Sequence, residues 1–245
     1  DFPTKEQIVL PFFFRFRWSY KVIRHFFSLD FTINPVGKQD KIFEEGNLSG
    51  LPFSFNQEVT EVFEDMIDRS VPGYNTTLRI IQQQAKNHCV DGTNVYDLGC
   101  SLGASTSSLL NALNGRSKVI AIDNSDSMIR SCRERFSRSI QAEQVKFLEE
   151  DISQSEIVNA SIVVINFVLQ FLSIKERAEL IQKIYQGLVP GGILILSEKV
   201  HFDSKKRTVE ISNIHHFFKA TNGYSKLEIS SKRDSLEGVL VTETE

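Results

Sequence analysis

The residues best suited to chemistry in this chain are a glycine-rich run, three carboxylates and an amide. The run is Gly99-Cys100-Ser101-Leu102-Gly103, with Asp97 just ahead of it and Ala104-Ser105-Thr106-Ser107 behind. Glycine serves where a backbone bends sharply or meets a ligand with no Cβ in between. A helix opening after such a turn offers unpaired N–H groups and a partial positive charge, which suit a carboxylate or a phosphate. A dinucleotide fingerprint needs glycine where this chain has Ser101 and Ala104, so a pyrophosphate would lack its close backbone approach. Asp123 lies 24 residues beyond Gly99, at the end of a second apolar run. A carboxylate there can accept hydrogen bonds from both hydroxyls of a ribose; an aspartate ahead of Ser125 can also cap a helix. Asp151 can take an adenine amino group, with Ile152 against the ring face, or belong to a solvated acidic loop, Glu149-Glu150-Asp151. Asn166 closes a run that is apolar almost throughout. Tyr74 falls in a loop ahead of a helix and matters if that loop folds over a ligand.

The elements that must position these groups follow from periodicity. Val95–Leu98, Lys118–Asp123, Val145–Leu148, Ser161–Asn166 and Ile193–Glu198 read as buried strands. One helix runs from Ser105 to Asn114 with Gly115 as its cap. A second turns Met128, Ile129, Cys132 and Phe136 inward. A third opens at the capping box Ser173-Ile174-Lys175-Glu176 and carries Leu180, Ile181, Ile184, Tyr185 and Leu188 on one face. Pro190-Gly191-Gly192 is read as the turn into the fifth strand. Earlier, Val59, Val62, Phe63, Met66 and Ile67 share a helical face, Ser70-Val71-Pro72-Gly73 breaks it, and Leu78, Ile80, Ile81 and Ala85 begin another helix. Strand and helix alternating five times predict an α/β fold with a doubly wound, mostly parallel sheet. Asp123, Asp151 and Asn166 then share one rim, where open α/β sheets keep their ligands. Residues 199–239 read as mostly helical. His215 and His216 are adjacent there, not at the i, i+4 spacing of a metal pair. A second capping box, Ser225-Lys226-Leu227-Glu228, leads to a helix on which Lys232 and Arg233 read as a solvated face.

Composition narrows the classes. The net charge of −3 demands no nucleic-acid partner, and no apolar run reaches membrane-spanning length. Cys89, Cys100 and Cys132 are odd in number and lack metal-ligand spacing, which fits a reducing compartment. The length suits one α/β domain with additions. Residues 1–39 stand apart: six Lys/Arg against three acids give +3, against −6 for the remainder. Their interleaved aromatics, as in Phe14-Arg15-Phe16-Arg17-Trp18, suit a membrane-surface or nucleic-acid arm. The preferred reading is a loosely ordered extension, with residues 40–245 forming the ligand-binding α/β domain.

The acid before Gly-x-Ser-x-Gly resembles motif I of class I S-adenosylmethionine-dependent enzymes, whose ligand lays its amino-acid end over the turn. Taken with IAIDNSDSMIRSCRERF, INFVLQFL, IYQGLVPGGILILSEK, FFKATNGYS and EISSKRDSLEGV, the chain closely resembles the carboxy-S-adenosyl-L-methionine synthases from about Asp40 to Thr242. The resemblance implies a Rossmann-like class I methyltransferase fold. It implies a reaction of S-adenosyl-L-methionine with prephenate giving carboxy-S-adenosyl-L-methionine and phenylpyruvate, in the service of wobble-uridine modification of tRNA. Tyr74, Gly99, Cys100, Ser101, Asp123, Asn124, Asp151, Ile152 and Asn166 are expected to contact the S-adenosyl ligand. Arg233 matches the arginine that grips the added carboxylate from a neighbouring subunit, which implies a homodimer. The resemblance further implies a cytoplasmic enzyme with no metal, no direct nucleic-acid contact and no membrane span. The family sheet adds a helix and an antiparallel hairpin beyond the last residue here. The expected domain is therefore C-terminally short, with the fifth strand as an edge. Motif I alone leaves open an ordinary methyltransferase acting on a small molecule or tRNA, and a non-catalytic ligand-binding protein.

Overall fold

The computed structural model describes residues 38–44 and 53–244. The extension expected over residues 1–39 lies almost wholly outside them.

Helix α1 (Gln57–Ser70) opens where Asn56 accepts a hydrogen bond from the Val59 N–H, and α2 (Tyr74–His88) follows the left-handed Gly73. The alternation then runs β1 (Asn94–Leu98), α3 (Ala104–Leu113), β2 (Lys118–Asp123), α4 (Asp126–Arg135), a short α5 (Ser137–Gln141), β3 (Val145–Glu149) and β4 (Ala160–Asn166). After a single 3-10 turn (Leu169–Phe171) come α6 (Ile174–Gly187), β5 (Leu188–Ser197), β6 (Val200–His201), α7 (Lys205–Thr221), α8 (Lys226–Leu236) and β7 (Glu243–Thr244). The capping boxes at Ser173 and Ser225 both form, each serine satisfying an orphan N–H while its glutamate reaches back.

The five main strands are all parallel, in the order β3-β2-β1-β4-β5, so the winding reverses between β1 and β4. Residues one apart on a strand face opposite sides, and the core splits accordingly. Val95, Val119, Ile162 and Val164 pack with Ile81 of α2, Leu109 of α3 and Ile129 of α4. Tyr96, Leu98, Ile122, Val163 and Ile165 pack with Leu180 and Ile184 of α6. Each such fully buried aliphatic contributes about 1.5–3 kcal/mol, so the central strands are the most strongly held part of the sheet. Parallel register puts every carboxyl end on one rim: Leu98 pairs with Ile122 and Ile165, Asp123 with Glu149, and Asn166 with Ser197.

The fold class is as expected, with β5 at one end of the five-stranded sheet, and the described residues contain no antiparallel strand pair. In its place β6 and β7 form a two-residue parallel pair. Local expectations differ at several points. Pro190-Gly191-Gly192 is not a turn ahead of β5 but an irregularity within it: Leu188 pairs with Ala160 and Ile193 with Ile162. Gly191 takes φ +81 there, and a Cβ on Gly192 would come within 2.9 Å of the Ala160 carbonyl. Tyr185 is exposed and Leu188 already belongs to β5, so the inner face of α6 is narrower than its periodicity implied. The C-cap of α3 is Asn114, left-handed at φ +48, one residue before Gly115. Lys232 is buried, not solvated, because α8 packs back toward α1: its Nζ lies 3.4 Å from Ser70 Oγ and 4.0 Å from Asp40 Oδ2.

Candidate functional site

The glycine turn hangs from the neighbouring strand. The N–H groups of Gly99 and Cys100 both donate to the Ile122 carbonyl, at 2.8 and 2.9 Å, so the turn is drawn over the end of β2. Gly99 adopts φ +75, and a Cβ there would lie 2.5 Å from Val168 Cγ2, so this position needs glycine for conformation and for space. Ser101 also takes a positive φ, +47. Its N–H donates to Asp123 Oδ2 at 2.8 Å, while the Ser125 N–H donates to Asp123 Oδ1 at 3.0 Å. Of the two readings of Asp123, capping belongs to Ser125, whose side chain accepts from the Met128 N–H. Burial raises the Asp123 carboxyl above its ordinary range, opposed by the N–H groups of Ser125, Ser101 and Asn124.

Asp97 is buried directly beneath the turn and accepts from the Thr106 hydroxyl at 2.6 Å. Burial pushes its carboxyl up to about 7 against that hydrogen bond, and the charge of Asp123 adds to the push. Tyr74 is the first residue of α2, not part of a loop as expected, because Gly73 supplies the left-handed N-cap. Its phenol is raised by burial, then by the charges of Asp97 and Glu64.

Asn166 closes β4. Its Nδ2 donates to Ser105 Oγ at 3.3 Å, while its Oδ1 is buried with no hydrogen-bond partner. A buried acceptor without a donor is costly, and a bound ammonium or amide N–H would satisfy it. On the far side, Asp151 is exposed and its Oδ1 accepts from the Ser153 N–H at 2.8 Å. The Glu150 N–H donates to the Asp123 carbonyl at 3.1 Å, holding the β3 end against β2. Asn124 is exposed beside Phe55 and Asn56.

Two expectations about side chains change. Ile152 was expected against a ring face, yet its side chain is buried in the core with Tyr96, Leu98 and Ile122. Bulk apolar surface at that position gains more from the core than from a rim. What it can offer the cleft is backbone. Cys100 likewise sends its thiol into the other core layer, where the hydrogen bond with the Cys132 thiol, and then burial, raise it far above its ordinary range. Arg233 is exposed on α8, and its guanidinium bonds Asp234 Oδ1 at 3.0 and 2.9 Å, not a cleft residue of its own chain.

Sequence reasoning passed over Ser105 and Thr106, which hold Asn166 and Asp97, and Val168, which roofs Gly99. It also passed over Glu198, whose Oε1 accepts from the Val168 and Leu169 N–H groups at 2.8 and 2.7 Å. The signal for Glu198 was available: an acid closing an apolar strand, the pattern that singled out Asp123.

A model of the methyltransferase domain matches residues 95–192. The chain is 46% identical over 206 residues to a carboxy-S-adenosyl-L-methionine synthase of Shewanella halifaxensis (strain HAW-EB4), covering 84% of this chain and 85% of that protein. It is 50% identical over 193 residues to the synthase of the same name from Shigella boydii serotype 4 (strain Sb227), covering 78% of each. Among solved structures, an O-methyltransferase family protein from Burkholderia thailandensis aligns at a TM-score of 0.50 and 18% identity, over 75% of this chain and 58% of that one, a likeness of fold alone. Sheet order and rim thus define a class I, Rossmann-like methyltransferase fold. Within that class, the chain belongs to the carboxy-S-adenosyl-L-methionine synthase family.

Proposed function

We propose that this protein makes carboxy-S-adenosyl-L-methionine from S-adenosyl-L-methionine and prephenate, releasing phenylpyruvate. The observation that carries the reading is the rim itself: acceptors at the ends of β2, β3 and β4 beside a glycine turn, in a chain 46–50% identical to relatives of that name.

In this reading Asp123 accepts both ribose hydroxyls, using lone pairs its two backbone donors leave free. Asp151 accepts from the adenine amino group, and the Ile152 N–H donates to the adjacent ring nitrogen. Asn124 lies beside the adenosine. Gly99, Cys100 and Ser101 supply backbone to the amino-acid end, Asn166 Oδ1 takes its ammonium, and Tyr74 closes over it. A methyl group on S⁺ can lose a proton because the adjacent positive charge stabilises the carbanion. Prephenate losing CO₂ and hydroxide becomes phenylpyruvate. The hydroxide leaves with the methyl proton as water, and the ylide adds to CO₂, so atoms balance without a separate protein base. Water must stay out, or the ylide is reprotonated.

Arg233 then holds the new carboxylate in a bidentate grip, reaching the site of a second copy. Two features support a homodimer. Arg233 projects from the surface, and α7 has no buried residue while Val209, Ile214 and Phe217 are 57%, 53% and 61% exposed. Large apolar side chains left exposed along one helix suit a protein partner. Cytoplasmic work on tRNA wobble-uridine modification completes the reading.

The test is direct. Purified protein is incubated with S-adenosyl-L-methionine and prephenate, and the products are weighed by mass spectrometry. A species heavier than S-adenosyl-L-methionine by one carboxyl group, with equimolar phenylpyruvate, is expected. Finding neither overturns the reading, and a methylated product would point to an ordinary methyltransferase.

A further inference from the structure

The end of β5 holds the segment by which the chain leaves β4. Three successive N–H groups of that segment are taken by two successive residues, Ser197 and Glu198. The Phe167 N–H donates to the Ser197 carbonyl at 2.7 Å. The Val168 and Leu169 N–H groups both donate to Glu198 Oε1, at 2.8 and 2.7 Å. Phe167 takes φ +62, a left-handed backbone that a bulky residue keeps only where its surroundings impose it. The Phe167 carbonyl is taken as well, by Gln170 Nε2 at 3.1 Å. Leu169 is buried in the core layer of Tyr96 and Leu98. The Val168 side chain lies over Gly99, its Cγ2 2.5 Å from where a Cβ would stand.

Packing alone does not call for an acid at position 198. The Glu198 Oε2 atom is buried, with no hydrogen-bond partner among the described residues. Burial pushes the carboxyl up to about 7 against the N–H groups that it accepts from. A buried carboxyl with one orphaned oxygen costs stability, a cost that an apolar side chain would avoid. What the acid supplies is geometric. One oxygen fixes two consecutive N–H groups, so the backbone at Val168 cannot shift relative to the end of β5. Asn166, directly ahead of the held segment, pairs with Ser197, directly ahead of Glu198.

We propose that Glu198 is a positioning residue for the S-adenosyl ligand: by holding the Val168 and Leu169 N–H groups it seats Val168 on Gly99, and so fixes the glycine turn that receives the ligand's amino-acid end. It touches no reacting atom in this role and acts through Val168. The role rests on the site reading above for where the ligand lies. It adds the residue on which the shape of that place depends.

Calorimetry measures S-adenosyl-L-methionine binding to wild type, Glu198→Gln, Glu198→Asp and Glu198→Leu, each with Val168 intact and with Val168→Ala. Glutamine keeps an acceptor at the same reach. Aspartate keeps the charge but falls short by a methylene. Leucine fills the space and accepts nothing. Glu198→Leu is expected to raise Kd about tenfold or more and Glu198→Asp about fivefold, while Glu198→Gln stays within about twofold. At saturating S-adenosyl-L-methionine, kcat stays within a few-fold of wild type, so the loss falls on KM. Effects that run through one contact are not additive, so in the Val168→Ala background the leucine and aspartate losses shrink to about twofold. An acid that served stability alone would lower the melting point without this coupling. Binding by Glu198→Asp within about twofold of wild type, or the same fold-loss in both backgrounds, overturns the role. Glu198→Asp decides it if the leucine variant does not fold. The two proposals fail separately. Ligand binding that does not depend on Glu198 removes the positioning role and keeps the site. Glu198-dependent binding with no carboxylated product keeps the role and removes the reaction. No S-adenosyl-L-methionine binding by wild type removes both.

Discussion

The Ser101 N–H donates to Asp123 Oδ2 at 2.8 Å, tying the glycine turn after β1 to the acid at the end of β2. The same carboxylate therefore holds the turn and faces the rim where a ribose would lie. In the proposed binding mode, replacing it removes a ligand contact, and it frees a residue held at φ +47. Asp123→Ala is expected to weaken S-adenosyl-L-methionine binding on the order of a hundredfold, about 2–3 kcal/mol from charge-assisted hydrogen bonds. Asp123→Asn keeps one acceptor and should fall between. Calorimetric titration decides it; equal affinity for all three proteins would remove Asp123 from the site.

Gly99 is limited twice, by its φ of +75 and by Val168, 2.5 Å from where a Cβ would stand. Gly99→Ala is expected to lower both stability and ligand affinity, by about 1–3 kcal/mol of strain. Adding Val168→Ala clears the space but not the backbone conformation, so the double variant should recover only part. Full recovery in thermal melts and binding would show that crowding alone limits the site.

Asp97 and Glu198 are both pushed up to about 7 by burial. In the unfolded chain they ionise at ordinary carboxylate values, so between those values and about pH 7 the folded protein holds the protons more tightly. The stability they contribute is present at low pH and is lost as pH rises through about 7. Ligand-free protein should therefore lose stability from these groups between about pH 4 and about pH 7, and little more above it. Asp97→Asn, whose amide oxygen can still accept from Thr106, should flatten that part of the profile. Melting curves across the range test it, an unchanged slope in the variant being the contrary result.

Arg233 is exposed and bonded to its neighbour Asp234. Arg233→Lys and Arg233→Ala should change stability by less than about 0.5 kcal/mol. They should nonetheless lose tenfold or more of the preference for carboxy-S-adenosyl-L-methionine over S-adenosyl-L-methionine, roughly 1.4 kcal/mol. A preserved preference, measured by competition, would take Arg233 out of the reaction.

Asp40 is a structural node. It receives the Tyr224 hydroxyl, its N–H donates to Asp65 Oδ2 at 2.7 Å, and Arg69 donates to its carbonyl at 2.8 Å while lying over the Tyr224 ring. This buried network joins residues 38–44 to α1 and to the turn before α8. Asp40→Ala strands Lys232 in the interior and is expected to cost about 3 kcal/mol, with a melting point lower by roughly 6–12 °C. Tyr224→Phe should cost less, near 1 kcal/mol.

Much of the fold was legible because its signals are local. Five apolar runs, two capping boxes and a glycine turn depend on neighbours a few residues away, and each formed, although β5 starts five residues earlier than its apolar run, at Leu188. The rim was legible too, since parallel strands must put their carboxyl ends on one side. The departures came where distant segments met. Tyr185 lies exposed although its periodicity matched Leu180 and Ile184, because α6 buries a narrower face than the pattern allowed.

By itself the sequence determined the strand–turn–helix grammar, the doubly wound class of the sheet and the residue types available at each strand end, since hydrophobic period and turn chemistry act over single elements. Tertiary structure alone decided which atoms those residues present. The Ile152 side chain went to the core and left its backbone at the rim, the Cys100 thiol turned inward, and Lys232 was buried against Asp40 from 192 positions away. Such choices are made by packing volume and by charge across the folded interior, and neither is written in the spacing of residues along the chain.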